Sequence, residues 1–180
     1  YWVTRNYRES YGLYACTGIL FNHESERRGA DFVTRKVTLG LARYIRDGTP
    51  LELGNLEARR DWGHAQDYVR AMWMMLQRDT PEDFVIGTGR THTIREFVRE
   101  ACKAAGLRFV WRGTGIDEEA VDPSNGNIAI RINPEFYRPA EVDYLQADAS
   151  RAKHILGWEP QIDFDELVRR MVENDIKGSN

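Results

Sequence analysis

Between Asn22 and Arg28 the chain gathers side chains suited to a polar, anionic ligand: an amide in Asn22, an imidazole in His23, and adjacent planar cations in Arg27 and Arg28. Arginine charge is permanent and its fork matches phosphate oxygens, while an amide and an imidazole serve hydroxyl groups. The apolar run Ile19-Leu20-Phe21 just before them reads as the end of a buried strand. Gly29 then breaks the polar stretch, and an amphipathic helix starts near Phe32. Strand, polar loop, helix is the order in which an open α/β sheet builds a site, because ligands sit beyond the carboxyl ends of its strands. A solvated surface loop fits the same residues, and from these residues alone the two readings stand level.

The elements that must position such a site can be read in order. Trp2, Val3, Asn6 and Tyr7 recur on one helical face that Gly12 would end. Leu13 to Phe21 is apolar enough for a central parallel strand. Phe32 to Asp47 reads as a helix stopped by Gly48, with Lys36 and Arg43 on its polar side. Short strands are expected at Leu51-Glu52-Leu53, at Phe84-Val85-Ile86, from Arg108 to Trp111 and from Ile128 to Ile132. Asp67 to Gln77 is a helix whose Met and Trp stripe reads as core packing. Thr93 with Glu96 has the spacing of a capping box, and that helix should end at Gly106. Gly113 to Gly126 reads as a polar loop, Ser150 as the cap of a short helix to Leu156, and Asp163 with Glu166 as the start of a final amphipathic helix.

The chain's 180 residues suffice for one domain with a real core, and 42% hydrophobic content argues against disorder. A formal net charge of -3 gives no electrostatic case for nucleic acid as a main partner. No apolar run approaches membrane-spanning length. The two cysteines, Cys16 and Cys102, lie far apart without metal-ligand spacing, so no metal site is expected and a reducing, cytoplasmic setting fits.

The motif ILFNHES-x-RRG-x-x-FVTRK resembles the corresponding segment of the GDP-mannose 4,6-dehydratase family, a branch of the extended short-chain dehydrogenase/reductases. The likeness continues through LGNLEARRDWGHAQDYVRAMWMMLQ, PEDFVIGTG, YRPAEVDYLQAD and LGWEP, and so covers nearly the whole chain. Glu26 stands where the family usually has proline. The resemblance implies an α/β fold: the end of an NAD(P)-binding Rossmann-type parallel sheet plus a smaller α/β substrate-binding C-terminal domain. The chain would be the C-terminal portion, with the cofactor-binding N-terminal half, and the catalytic Thr, Glu, Tyr and Lys, upstream of it. No catalytic residue is therefore assigned within it, and the chain alone is expected to be inactive.

Carried over residue by residue, the resemblance makes His23 and Arg28 contacts of NADP. It makes Asn22, Lys36, Arg60, Arg138 and Glu141 contacts of the sugar nucleotide. Without it, an Arg60–Asp61 ion pair and an Arg138–Glu141 ion pair would be the better readings, and His64 and Asp67 read as structural in any case. The implied reaction converts GDP-D-mannose to GDP-4-dehydro-6-deoxy-D-mannose and water with internally recycled NADP, in a homo-oligomer (dimer or tetramer) with no nucleic-acid or membrane partner. Another sugar-nucleotide epimerase or reductase of the same class, and a non-catalytic sugar-nucleotide-binding fragment, are the alternatives.

Overall fold

A computed structural model describes residues 1–137, 142 and 144–178. In chain order the first elements are α1 (Trp2–Tyr11), β1 (Gly18–Leu20), β2 (Asn22–Glu24), α2 (Val33–Asp47), β3 (Leu51–Leu53), β4 (Arg59–Arg60) and β5 (Trp62–His64). They are followed by α3 (Ala65–Met75), β6 (Phe84–Ile86), β7 (His92–Thr93), α4 (Ile94–Ala104), β8 (Val110–Arg112), β9 (Glu119–Val121), β10 (Ile128–Ile132) and α5 (Phe164–Gly178). The chain is mixed α/β, with parallel strand pairs, as expected. It divides into two compact units that interleave along the sequence. The first takes Tyr1–Glu24, Asp61–Thr91 and Leu145–Phe164, and the second Ser25–Arg60, His92–Tyr144 and Asp165–Asn180.

In the first unit β1 runs parallel to β6, and β2 parallel to β5 with His23 opposite Gly63. Tyr68, Ala71 and Met75 of α3 pack with Phe84, Ile86, Ala152 and Trp158 to form its core. Two buried carboxylates fasten its loops. Asp61 accepts from the Thr88 N–H at 2.9 Å and O–H at 2.6 Å, from the Gly89 N–H at 2.8 Å and from the Ala147 N–H at 3.0 Å. Asp67 accepts from the Gln161 and Ile162 N–H groups at 2.9 and 3.0 Å, and His64 caps α3 by accepting from the Gln66 N–H at 3.1 Å. His64 and Asp67 are structural, as read from the sequence.

The second unit holds a four-stranded sheet in the order β3-β10-β9-β8, with β3 parallel to β10 and the rest antiparallel, and a separate antiparallel pair of β4 and β7. Val37 and Leu41 of α2, Phe97 of α4, and Leu167 and Met171 of α5 are buried there. Gly40 admits the sheet: a Cβ on it would lie 2.6 Å from Leu51 Cδ1. The capping box at Thr93 and Glu96 is formed in both directions, and the left-handed glycines Gly12 and Gly48 end α1 and α2.

Several expectations need correction. Residues Asn22–Glu24, read as loop, form strand β2, because β5 offers them a backbone ladder that their polar side chains do not oppose. Ile19 in β1 is 46% exposed, not buried. Strand β9 lies inside the stretch read as a polar loop, and it is paired on both sides with Ala120 and Val121 buried. The Met and Trp stripe of α3 is only half core: Met75 is buried, while Val69, Met72, Trp73 and Leu76 are exposed. Ser150 does not cap the short helix ending at Leu156 but lies within it, its N–H donating to Asp148 Oδ1 at 3.0 Å.

No residue of α1 is buried, so a polar clamp must hold it in the first unit. Arg8 donates to both Asp83 carboxylate oxygens at 2.9 and 2.7 Å, and Asp83 also accepts from the Thr17 N–H at 2.7 Å. The Arg8 hydrogen bond, opposed by burial, lowers the Asp83 pKa from 3.8 to about 2. A lowered carboxylate pKa adds stability above the unfolded value and loses it as pH falls through the folded one. Asp83→Asn is therefore expected to lower stability at neutral pH by about 2 kcal/mol, and to flatten the loss of stability between about pH 4 and pH 2. Chemical denaturation at stepped pH measures both, and parallel curves for the two proteins would contradict the clamp.

Candidate functional site

The residues proposed from the sequence fall in both units, and each unit's share stands by itself. In the first unit β1 passes its ladder on to Phe21, whose N–H donates to the Ile86 carbonyl at 2.9 Å. The chain then enters β2 at the carboxyl end of β1, so Asn22 and His23 stand where an α/β sheet presents ligand contacts. Successive strand residues face opposite sides, and Asn22 and His23 accordingly do so.

His23 is half-buried, and its Nδ1 lies 2.9 Å from the Phe21 carbonyl. A carbonyl oxygen can only accept, so Nδ1 carries the hydrogen, and in the neutral ring Nε2 is left as an acceptor. The imidazole lies against Tyr68, with ring centroids 5.1 Å apart and planes inclined by 30°. Burial, reinforced by Asp61, Glu24 and Asp67, pushes the Tyr68 phenol above its ordinary pKa, so it stays a donor.

The second unit carries Arg28, Lys36 and Arg60. Residues Ser25 to Arg28 form a tight turn, with the Arg28 N–H donating to the Ser25 carbonyl at 3.0 Å and the Arg27 N–H to Ser25 Oγ at 3.1 Å. The Arg28 guanidinium lies 3.3 Å from the centroid of the Phe32 ring, which is itself exposed at the head of α2. Lys36 is held in a similar way, its Nζ 3.4 Å from the Phe136 ring centroid. Burial lowers the Lys36 pKa and the Glu52 carboxylate opposes that shift. Phe136 sits in the single turn Pro134–Phe136. That turn packs so closely on Gly54 that a Cβ there would lie 2.5 Å from the Phe136 carbonyl oxygen. Arg60, on β4, donates to the Arg59 carbonyl at 2.8 Å and to the Val142 carbonyl. Arg138 and Glu141 lie outside the described residues.

Arg35 escaped the sequence reading. It donates to the carbonyls of Glu26 and Arg28, bracing the turn from inside, and pairs at 2.9 Å with Asp175 of α5, which is buried. Thr38 donates to the same carboxylate at 2.6 Å. The one signal in the sequence was the Arg35-Lys36 pair at the helix start, which cannot tell a brace from a ligand contact. Among the described residues no cluster of His, Cys, Asp or Glu could hold a metal ion, and no helix is long and apolar enough to cross a membrane.

The chain shares its Rossmann-type α/β fold with solved structures. The chain superposes on the structure of RMD from Pseudomonas aeruginosa complexed with NADPH with a TM-score of 0.78 at 17% identity, over 97% of this chain and 52% of that one. For dTDP-glucose 4,6-dehydratase from Bacillus anthracis in complex with NAD the TM-score is 0.75 at 17% identity, over 98% and 49%. Residues 1–171 match the family described as GDP-mannose 4,6 dehydratase, and the chain belongs to that family. It is 54% identical to GDP-mannose 4,6 dehydratase of Drosophila melanogaster, over 98% of this chain and 45% of that protein. It is 51% identical to the Homo sapiens enzyme of the same name, over 98% and 48%. The chain thus spans about half the length of the curated relatives it matches.

Breaking a largely buried ion pair typically costs about 3–5 kcal/mol, because a charge is left without its partner. Arg35→Met should therefore lower stability by about 3 kcal/mol, read as a shift in the urea midpoint. An unchanged midpoint would show that Arg35 does not brace the turn.

Proposed function

We propose that this chain acts as part of a GDP-mannose 4,6-dehydratase, a lyase that converts GDP-D-mannose to GDP-4-dehydro-6-deoxy-D-mannose and water with NADP recycled internally, on the route to GDP-6-deoxyhexoses such as GDP-fucose. The observation that carries this reading is β2: Asn22 and His23 follow β1 directly and face opposite ways, so one strand offers an amide to one ligand and an imidazole to another. Family membership and identities near one half support the same assignment.

In this reading His23 and Arg28 bind NADP, and Asn22, Lys36, Arg60, Arg138 and Glu141 bind the sugar nucleotide. NADP, when bound, would supply hydride exchange with the sugar. His23 contributes a hydrogen-bond acceptor, and Arg28 a fixed charge whose face is already covered by Phe32. Lys36 carries its charge from a partly desolvated position, where it interacts more strongly with an anion than in open water. The residues that move protons during oxidation and elimination are assigned outside this chain. A homo-oligomer is part of the proposal, supported by the exposed Trp2 and Tyr7 of α1, Val69 and Trp73 of α3, and Leu76 just after it. A reducing, cytoplasmic setting is supported by the two free cysteines.

The test is product analysis with the full-length protein containing this chain. Incubation with GDP-mannose and NADP should yield a 6-deoxy-4-keto sugar nucleotide with no net NADPH consumption. A C-epimer, or stoichiometric use of NADPH, would move the protein to an epimerase or reductase. In the same protein Arg28→Ala should weaken NADP binding by about tenfold, the loss of one charge-assisted hydrogen bond, while GDP affinity stays near wild type. Equal losses of both ligands would point instead to a collapsed turn.

A further inference from the structure

Tyr68 is a fully buried phenol to which the proposed function gives no task. Its ring backs the His23 imidazole, and its hydroxyl donates to the Asn22 carbonyl at 3.4 Å, so one side chain touches both Asn22 and His23 of β2. That approach depends on Gly63, opposite His23 in the ladder, where a Cβ would lie 2.6 Å from Tyr68 Cε2. Behind it, the Tyr68 ring meets Trp158 edge-on at 6.2 Å, and the Trp158 indole N–H is itself fixed, donating to the Asp67 carbonyl at 2.9 Å. The stack from Asp67 through Trp158 and Tyr68 to His23 is therefore held at its far end by a hydrogen bond. At its near end the Phe21 carbonyl takes the Nδ1 hydrogen, which leaves Nε2 as the ring atom available to a ligand.

We propose that Tyr68 is a positioning residue of the cofactor site: by backing the His23 ring and holding the Asn22 carbonyl, it fixes the imidazole so that Nε2 accepts a hydrogen bond from the dinucleotide. The group recognised is a neutral N–H or O–H donor, such as a carboxamide or a ribose hydroxyl, and not a phosphate. The inference rests on the reading of His23 as a cofactor contact.

Three variants of the full-length protein test it, each titrated with NADP and with GDP: His23→Ala, Tyr68→Phe and Tyr68→Leu. Long-range ¹⁵N spectra of the imidazoles, with the His23 signal assigned from its absence in His23→Ala, report the tautomer. The expected result is an Nδ1-protonated His23 in the wild type, with NADP affinity reduced in all three variants and GDP affinity retained. The loss in Tyr68→Phe should be about two- to tenfold, that of one neutral hydrogen bond. Tyr68→Leu should also bring the Nε2-protonated ring into the spectrum. If His23→Ala loses affinity while both Tyr68 variants bind NADP normally, Tyr68 has no positioning role and the cofactor reading stands. If His23→Ala binds NADP normally, both fall. An Nε2-protonated ring in the wild type, or an equal loss of GDP affinity in Tyr68→Phe, would also overturn the proposal. Should Tyr68→Leu fail to fold, Tyr68→Phe and the wild-type spectrum still decide.

Discussion

The carboxylate of Asp61 is the constraint on which the first unit depends. It is fully buried, and a buried charge is costly unless its lone pairs are filled. Here three backbone N–H groups and a hydroxyl fill them, and they come from the loop after β6 and from the segment around Ala147. One side chain thereby ties together stretches far apart in sequence. The junction is so tight that glycine is required: a Cβ on Gly87 would lie 2.3 Å from the Ala147 Cβ and 3.2 Å from that of Phe21. Phe21 in turn supplies the carbonyl that orients His23. The unit's candidate ligand contacts are therefore built on a dense, fully hydrogen-bonded junction instead of a free loop.

The same logic recurs in the second unit with different parts. Asp175 is buried, and Arg35 and Thr38 satisfy it. Arg35 also donates through Nη1 to the carbonyls of Glu26 and Arg28. In both units a buried carboxylate fixes the backbone, and the backbone aims the side chain that is proposed to meet a ligand. This separates two kinds of charged residue that look alike in the sequence. Asp61, Asp67, Arg35 and Asp175 are structural anchors, whereas Arg28 and Lys36 hold their charges over aromatic rings.

Helices with periodic apolar faces and local stop signals were legible in the sequence, because their information is local. The left-handed glycines after α1 and α2 and the reciprocal cap of α4 are examples. Strand β2 was not legible because its partner β5 is distant in sequence, and strand β9 was not because its three residues sit among polar and glycine-containing stretches and do not alternate cleanly. The exposed half of the α3 stripe was misread for a related reason: helical period shows which residues share a face, not what covers that face. Among the candidate contacts, Asn22, His23, Arg28, Lys36 and Arg60 were named from a motif. Their supports, Tyr68, Phe32, Phe136 and Arg35, were not, since a buried aromatic or an internal ion pair has the same sequence signature wherever it lies.

The account's central claim is that β2 divides its two ligands between its faces, with His23 serving the dinucleotide and Asn22 the sugar nucleotide. A crystal structure of the full-length protein with NADP and GDP both bound tests it most directly. The expected result is His23 Nε2 within hydrogen-bond distance of a neutral donor on the dinucleotide, and the Asn22 amide in contact with the GDP-bearing ligand. Both side chains on one ligand, or His23 turned toward a phosphate, would contradict the account.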